Sequence, residues 1–126
     1  PWSDRLELSV PPGDCRVLAI RPAVDHPQVL STSRHVTQGV VDLRWEHWDA
    51  AEGILSGESD LVGGDPYELR IVLPESPSLK PGTVELVRAP EQVTAVLDQQ
   101  GRLVRVRLTS PGNLRLRWRV KFAPAN

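Results

Sequence analysis

Carboxylate pairs are the first place to look for bond-breaking chemistry in this chain, which carries sixteen acidic residues. Glycoside hydrolysis needs a carboxylic acid and a carboxylate roughly 5 to 10 Å apart across the scissile bond. By spacing, the candidates are Asp42 with Glu46, and Glu46 with Asp49 and Glu52. The competing reading makes them solvated outward positions of strands and loops, where carboxylates keep a sheet surface soluble. That second reading is preferred, and no catalytic residue is assigned.

Metal and nucleophile chemistry find even less support. His26, His35 and His47 lack paired ligand spacing, and Cys15 is the single cysteine, so neither a zinc site nor a cofactor is read. As a nucleophile Cys15 needs a basic partner delivered by the fold, whereas inside an apolar run it reads as an inert buried thiol. Phosphate-binding glycine loops, nucleophile elbows and dinucleotide fingerprints are missing from the sequence. A lone cysteine cannot close an internal disulfide, so composition leaves the compartment open.

Two binding chemistries remain. Trp45, Tyr67, Trp118 and Phe122 fall in phase with apolar stripes and are assigned to the core, which leaves Trp2 and Trp48 as aromatic rings for stacking on a sugar. Of these, Trp48 is the candidate for carbohydrate contact. Seven basic residues and no acidic one lie in 101–126, where Arg105, Arg107, Arg115, Arg117, Arg119 and Lys121 alternate with apolar residues. Such a stripe suits a nucleic-acid backbone. The net charge of -1 and the absence of interleaved aromatics favour a solvated face, or one paired with acidic residues of an adjoining strand, and nucleic acid is not expected as a partner.

The elements that must position these residues are short strands. Twelve prolines and nine glycines break the chain too often for helices of average length. Residues 4–10 alternate Leu6, Leu8 and Val10 with Arg5, Glu7 and Ser9, the period of a strand buried on one face, and Pro11, Pro12 and Gly13 force a turn. Residues 15–20 are apolar on both parities, as in a strand covered on both sides. Residues 21–39 read as a long loop with a short strand near Val29 and Leu30, and long loops tend to be functional or docked.

Further along, residues 41–46 and 67–73 alternate again. Between them, Ile54–Leu55 and Leu61–Val62 read as two short strands joined through Gly57 and closed by the turn at Gly63, Gly64, Asp65 and Pro66. Residues 83–88 form another strand candidate. Residues 89–97 offer a helix start at Pro90, but β-branched Val93, Thr94 and Val96 favour a strand. At the end, Val104, Val106 and Leu108 face Leu114, Leu116, Trp118, Val120 and Phe122 across Ser110–Asn113, which reads as a hairpin.

Eight or more short strands in one domain, 1–126, predict an all-β antiparallel β-sandwich. The length of 126 residues suffices for one hydrophobic core. No apolar run reaches the length of a bilayer span, so no membrane partner is expected. The chain begins at Pro1 and contains no methionine, from which it is read as part of a longer polypeptide.

The run LELSVPPGDCRVLAIRP, followed by DLRWEHWD, LSGESDLVGGDPYELRIVLP and the closing strands, resembles the C-terminal β-sandwich of α-galactosidase-like (melibiase-type) glycoside hydrolases. The similarity covers nearly the whole chain and rests on pattern and order. It implies a non-catalytic accessory domain whose partner is an N-terminal catalytic (β/α)₈ barrel of the same polypeptide. No catalytic residue is carried over, because the family's carboxylates lie on that barrel. Ser33, Arg34, His35 and Gln38 in the long loop are the candidates for contact with it. Two other readings stand beside this one: a carbohydrate-binding module, and an interaction domain of immunoglobulin type.

Overall fold

The computed structural model describes residues 4–34 and 39–125. Within them lie eight strands: β1 (Gln28–Thr32), β2 (Leu43–Asp49), β3 (Ile54–Leu61), β4 (Tyr67–Val72), β5 (Leu79–Val87), β6 (Thr94–Gln100), β7 (Leu103–Thr109) and β8 (Leu114–Pro124). They form two four-stranded antiparallel sheets, ordered β1-β4-β7-β6 and β2-β3-β8-β5. The sheets pack together as a β-sandwich, as the period-two pattern predicts.

Alternation explains the core directly. Tyr67, Leu69 and Ile71 of β4 pair with Leu108, Val106 and Val104 of β7, and all six are buried. From the opposite sheet, β3 and β8 contribute Leu55, Leu61, Leu116, Trp118, Val120 and Phe122 to the same cluster. Each buried aliphatic or aromatic side chain contributes about 1.5–3 kcal/mol through removal of apolar surface from water. Gly57 sits opposite Trp118 in the β3–β8 register. A Cβ there would lie 2.4 Å from the indole Cζ2, so the missing side chain makes the room that the tryptophan fills.

Several expectations are corrected. Residues 4–10 and 15–20 belong to neither sheet, and Leu6, Leu8, Val10, Val17, Leu18 and Ile20 are exposed. Alternation records that a segment can present an apolar face, and it does not say which sheet receives that face. Cys15, expected to be buried in the second of these strands, is exposed. Ile54–Leu55 and Leu61 lie on a single strand, with Gly57 in its interior. The strand favoured after Pro90 is present as β6, with its start moved to Thr94, and the strand expected over 83–88 is present as β5, which begins earlier, at Leu79.

The closing hairpin is also revised, because β7 and β8 lie in different sheets. Their apolar faces do meet, but through the core and not across a ladder. The Ser110–Asn113 turn is an arch between layers. It lies against the β3–β4 arch, where Gly64 N donates to Ser110 O at 2.9 Å and Gly63 N to Asn113 Oδ1 at 2.9 Å.

Trp45 is the last correction. It is 41% exposed, although Leu43 and Trp45 share a parity. The β2–β3 register shifts between Leu43 and Trp45. That irregularity at Arg44 reverses the phase of the strand, turning Trp45 outward and Trp48 toward the core.

Candidate functional site

The most built polar arrangement lies in the interior. The Tyr67 hydroxyl donates to Asp42 Oδ2 at 2.7 Å, and the Trp118 indole N–H donates to Ser59 Oγ at 3.0 Å. Ser59 Oγ lies 3.3 Å from the Tyr67 oxygen. With the phenol proton given to Asp42, the serine supplies its own proton to the phenol. Asp42 Oδ1 also accepts from Gly39 N at 3.2 Å, and its carbonyl accepts from Asp60 N at 2.8 Å. Asp42, Ser59, Tyr67 and Trp118 are all buried. Burial, more than any neighbour, pushes the Tyr67 phenol far above its ordinary range, with Asp42 adding to the rise and Ser59 opposing it. The cluster bolts the two sheets together.

Beside it, the Arg34 guanidinium lies 5.6 Å from the centre of the Tyr67 ring and pairs with Asp65. Ser33 N donates to Glu68 O at 2.8 Å, and Glu68 N donates to Ser33 Oγ at 2.9 Å. Ser33 and Arg34, two of the expected contact residues, are thus engaged with the start of β4 and the turn before it. His35 and Gln38 lie outside the described residues, as does Trp2.

The candidate carboxylates are dispersed into structural tasks. Asp42 belongs to the buried cluster. Glu46 accepts from Val29 N at 2.8 Å and pairs with Arg21 at 3.4 Å, joining the edge strands β1 and β2 of the two sheets. Asp49 accepts from Ala51 N and Glu52 N at 3.0 and 3.1 Å, which shapes the β2–β3 turn. His26 stacks on Trp48 with ring centres 6.0 Å apart and planes 6° from parallel, and Trp48 meets Phe122 edge-on at 6.1 Å. Trp48, the expected sugar platform, therefore has ring partners of its own. Among the described residues no three His, Cys, Asp or Glu side chains converge for a metal.

The arginine stripe divides between the layers. Arg105 and Arg107 alternate with the buried residues of β7, and Arg115, Arg117, Arg119 and Lys121 with those of β8, so they point away from each other on opposite outer faces. Acidic residues of adjoining strands meet them. Arg115 donates to Asp60 at 2.8 Å, Arg117 to Glu58 at 2.8 Å, and Arg107 reaches Glu68 at 3.5 Å. Asp60 also accepts from Arg44 at 2.6 Å. Hydrogen bonds from Arg115 and then Arg44 hold its carboxyl below the ordinary range, while Asp60 raises the Arg115 guanidinium further. An open hollow of about 480 Å³ at this end is lined by Asp60, Leu61, Val62, Asn113, Leu114 and Arg115.

Two features escaped the sequence reading. The Asp42–Tyr67–Ser59–Trp118 cluster had no local signal, because its members come from three strands and a turn. The outward Trp45 was hidden by the register shift. Comparisons with protein-family models, curated proteins and solved structures find no match for this chain.

Proposed function

We propose that this sandwich is a non-catalytic C-terminal accessory domain of an α-galactosidase-like glycoside hydrolase, docking on and steadying a (β/α)₈ barrel that performs the bond cleavage. The enzyme class rests on the resemblance of the sequence segments given above. The docking role rests on one observation: Leu6, Leu8, Val10, Val17, Leu18 and Ile20, all within residues 4–20, are exposed, and large apolar side chains gathered in one exposed segment suit an interaction site.

The test compares two polypeptides on aryl α-galactosides. The 126-residue chain is expected to be inactive, and the polypeptide extended through a preceding barrel is expected to hydrolyse them. Turnover by the short chain alone overturns the proposal.

A second reading, carbohydrate binding by the sandwich itself, draws support from Trp45, whose indole is partly open on the outer face of β2. An exposed aromatic face stacks well on the C–H face of a sugar ring. Calorimetry against galactosides, with Trp45→Ala as the comparison, separates the two. Absence of heat at millimolar sugar ends this second reading.

A further inference from the structure

On the outer face of the β1-β4-β7-β6 sheet, β4 presents Glu68 and Arg70 and β7 presents Arg105 and Arg107, each alternating with buried core residues. Glu68 is shared between two arginines. Its Oε1 accepts from Arg70 Nε at 3.0 Å, and its Oε2 lies 3.5 Å from Arg107 Nη2. Both carboxylate oxygens are taken, and Arg105 is left without an acceptor among the described residues.

The register sharpens the imbalance. Arg105 stands between Arg70 on β4 and Asp98 on β6. Directly opposite residues carry Cβ atoms about 4.5–5.5 Å apart, where like charges repel. Asp98 points outward, because its neighbours Ala95 and Leu97 pack on the core, yet it forms no ion pair with Arg105. Arg70, Arg105 and Arg107 against Glu68 and Asp98 are three cations against two anions, so the face carries a net charge of +1.

Arg105 is also positioned to donate. Its Nε is buried with no hydrogen-bond partner, a cost that the chain itself does not recover. Burial there anchors the stem, while Nη1 and Nη2 stay uncovered. Arg70 gives its Nε to Glu68 and its Nη1 to the Thr32 carbonyl at 3.4 Å, which leaves Nη2 as a third outward donor. Two guanidinium forks side by side on a ladder match a group whose oxygens share negative charge, since each fork can donate parallel N–H bonds to it.

We infer that Arg105 and Arg70 form an oxyanion-binding site on this outer face, receiving a phosphate, sulfate or carboxylate group between them. The site does not rest on the accessory reading. Neutral sugars are not its ligands, because only an anion offsets the two facing charges.

The test titrates the purified protein with inorganic phosphate at neutral pH, with sodium chloride holding the ionic strength constant, and follows the Nε–Hε resonances of Arg70 and Arg105. Both should shift together and saturate near about 1 mM. Arg105→Gln should raise the midpoint at least about tenfold. Arg105→Lys keeps a charge and a long stem but lacks the fork, and should weaken binding by a similar factor even if the glutamine variant folds poorly. Arg119→Gln, on the outer face of the other sheet, should leave the midpoint unchanged. Acetate in a parallel titration identifies the source: tighter binding of phosphate assigns a tetrahedral group, and equal or tighter binding of acetate assigns a carboxylate.

Shifts that grow without saturating for phosphate and acetate alike overturn the inference. Saturation that survives Arg105→Gln unchanged does the same. So does an undiminished affinity in Arg105→Lys, which would reduce the effect to charge alone. Saturation that appears in Asp98→Asn and not in the unaltered protein also overturns it, because Asp98 is then the counterion of Arg105.

Discussion

The indole N–H of Trp118 is satisfied by the hydroxyl of Ser59, 3.0 Å away on the neighbouring strand, and that hydroxyl also reaches Tyr67 of the opposite sheet. Removing it strands a buried donor, which costs more than the hydrogen bond itself contributes. Ser59→Ala should lower unfolding free energy by about 1–3 kcal/mol, measured by urea denaturation followed through tryptophan fluorescence. A change below about 0.5 kcal/mol would show that the cluster does not couple the sheets.

Gly57→Ala tests the packing of the same indole. The new Cβ would fall 2.4 Å from Trp118 Cζ2 and 2.8 Å from the Trp45 carbonyl oxygen, and neither the buried ring nor the ladder backbone has room to yield. Overpacking of this kind costs about 1–3 kcal/mol. Gly112, with nothing within 4 Å of a built Cβ, is the control, and Gly112→Ala should leave the urea midpoint in place.

Trp48 and Trp45 should separate cleanly in a stability comparison. Trp48→Ala removes a ring held between His26 and Phe122 and should cost about 2–4 kcal/mol. Trp45→Ala, at an outward position, should stay within about 0.5 kcal/mol. Equal losses would mean that the reversed phase of β2 is wrong.

Tyr67 is the single tyrosine, so phenolate absorbance reports on it alone. Its folded pKa is raised above the ordinary value of 10.0, mainly by burial. The stability linked to this group is therefore intact below pH 10 and lost as pH rises beyond it. Absorbance near 295 nm should stay flat until the protein unfolds at alkaline pH, and then appear together with loss of the near-ultraviolet circular dichroism. A phenolate signal in the still-folded protein at pH 10 would contradict the buried Asp42 bond.

Asp60 works in the opposite direction. Arg115 and Arg44 hold its folded pKa below the ordinary 3.8, so its contribution is present above that value and lost as pH falls through the lower, folded one. The pairs are largely exposed and screened by solvent, so their effect is small. Asp60→Asn should flatten the loss of stability below pH 4 by a small amount that shrinks further in high salt. An unchanged acid slope would show that the pairs contribute nothing.

The legible part of the fold was the part where one strand carries its own message. In β4, β7 and β8 strict alternation identifies the buried residues one by one. Which strand lies beside which was not legible, because pairing is decided by how two apolar layers close on each other. The turn at Ser110–Asn113 has the residues of a hairpin, yet Leu108 and Leu116 meet through the core and not along a ladder. Trp45 shows a second limit, since one register shift reverses every later residue of a strand without any mark in the composition. For the candidate carboxylates, sequence gave spacing alone, and the tertiary structure sends Asp42, Glu46 and Asp49 to three unrelated places.

Five of the seven strand-to-strand connections, all but β2–β3 and β6–β7, carry the chain from one layer to the other. Stitching of this kind leaves no autonomous half. Neither layer can melt while its counterpart persists, so unfolding must be all-or-none, and assembly must wait for pairings between distant stretches of chain, which slows it relative to a simple meander. Trimming the molecule within 28–124 should therefore abolish the whole architecture and not pare it down.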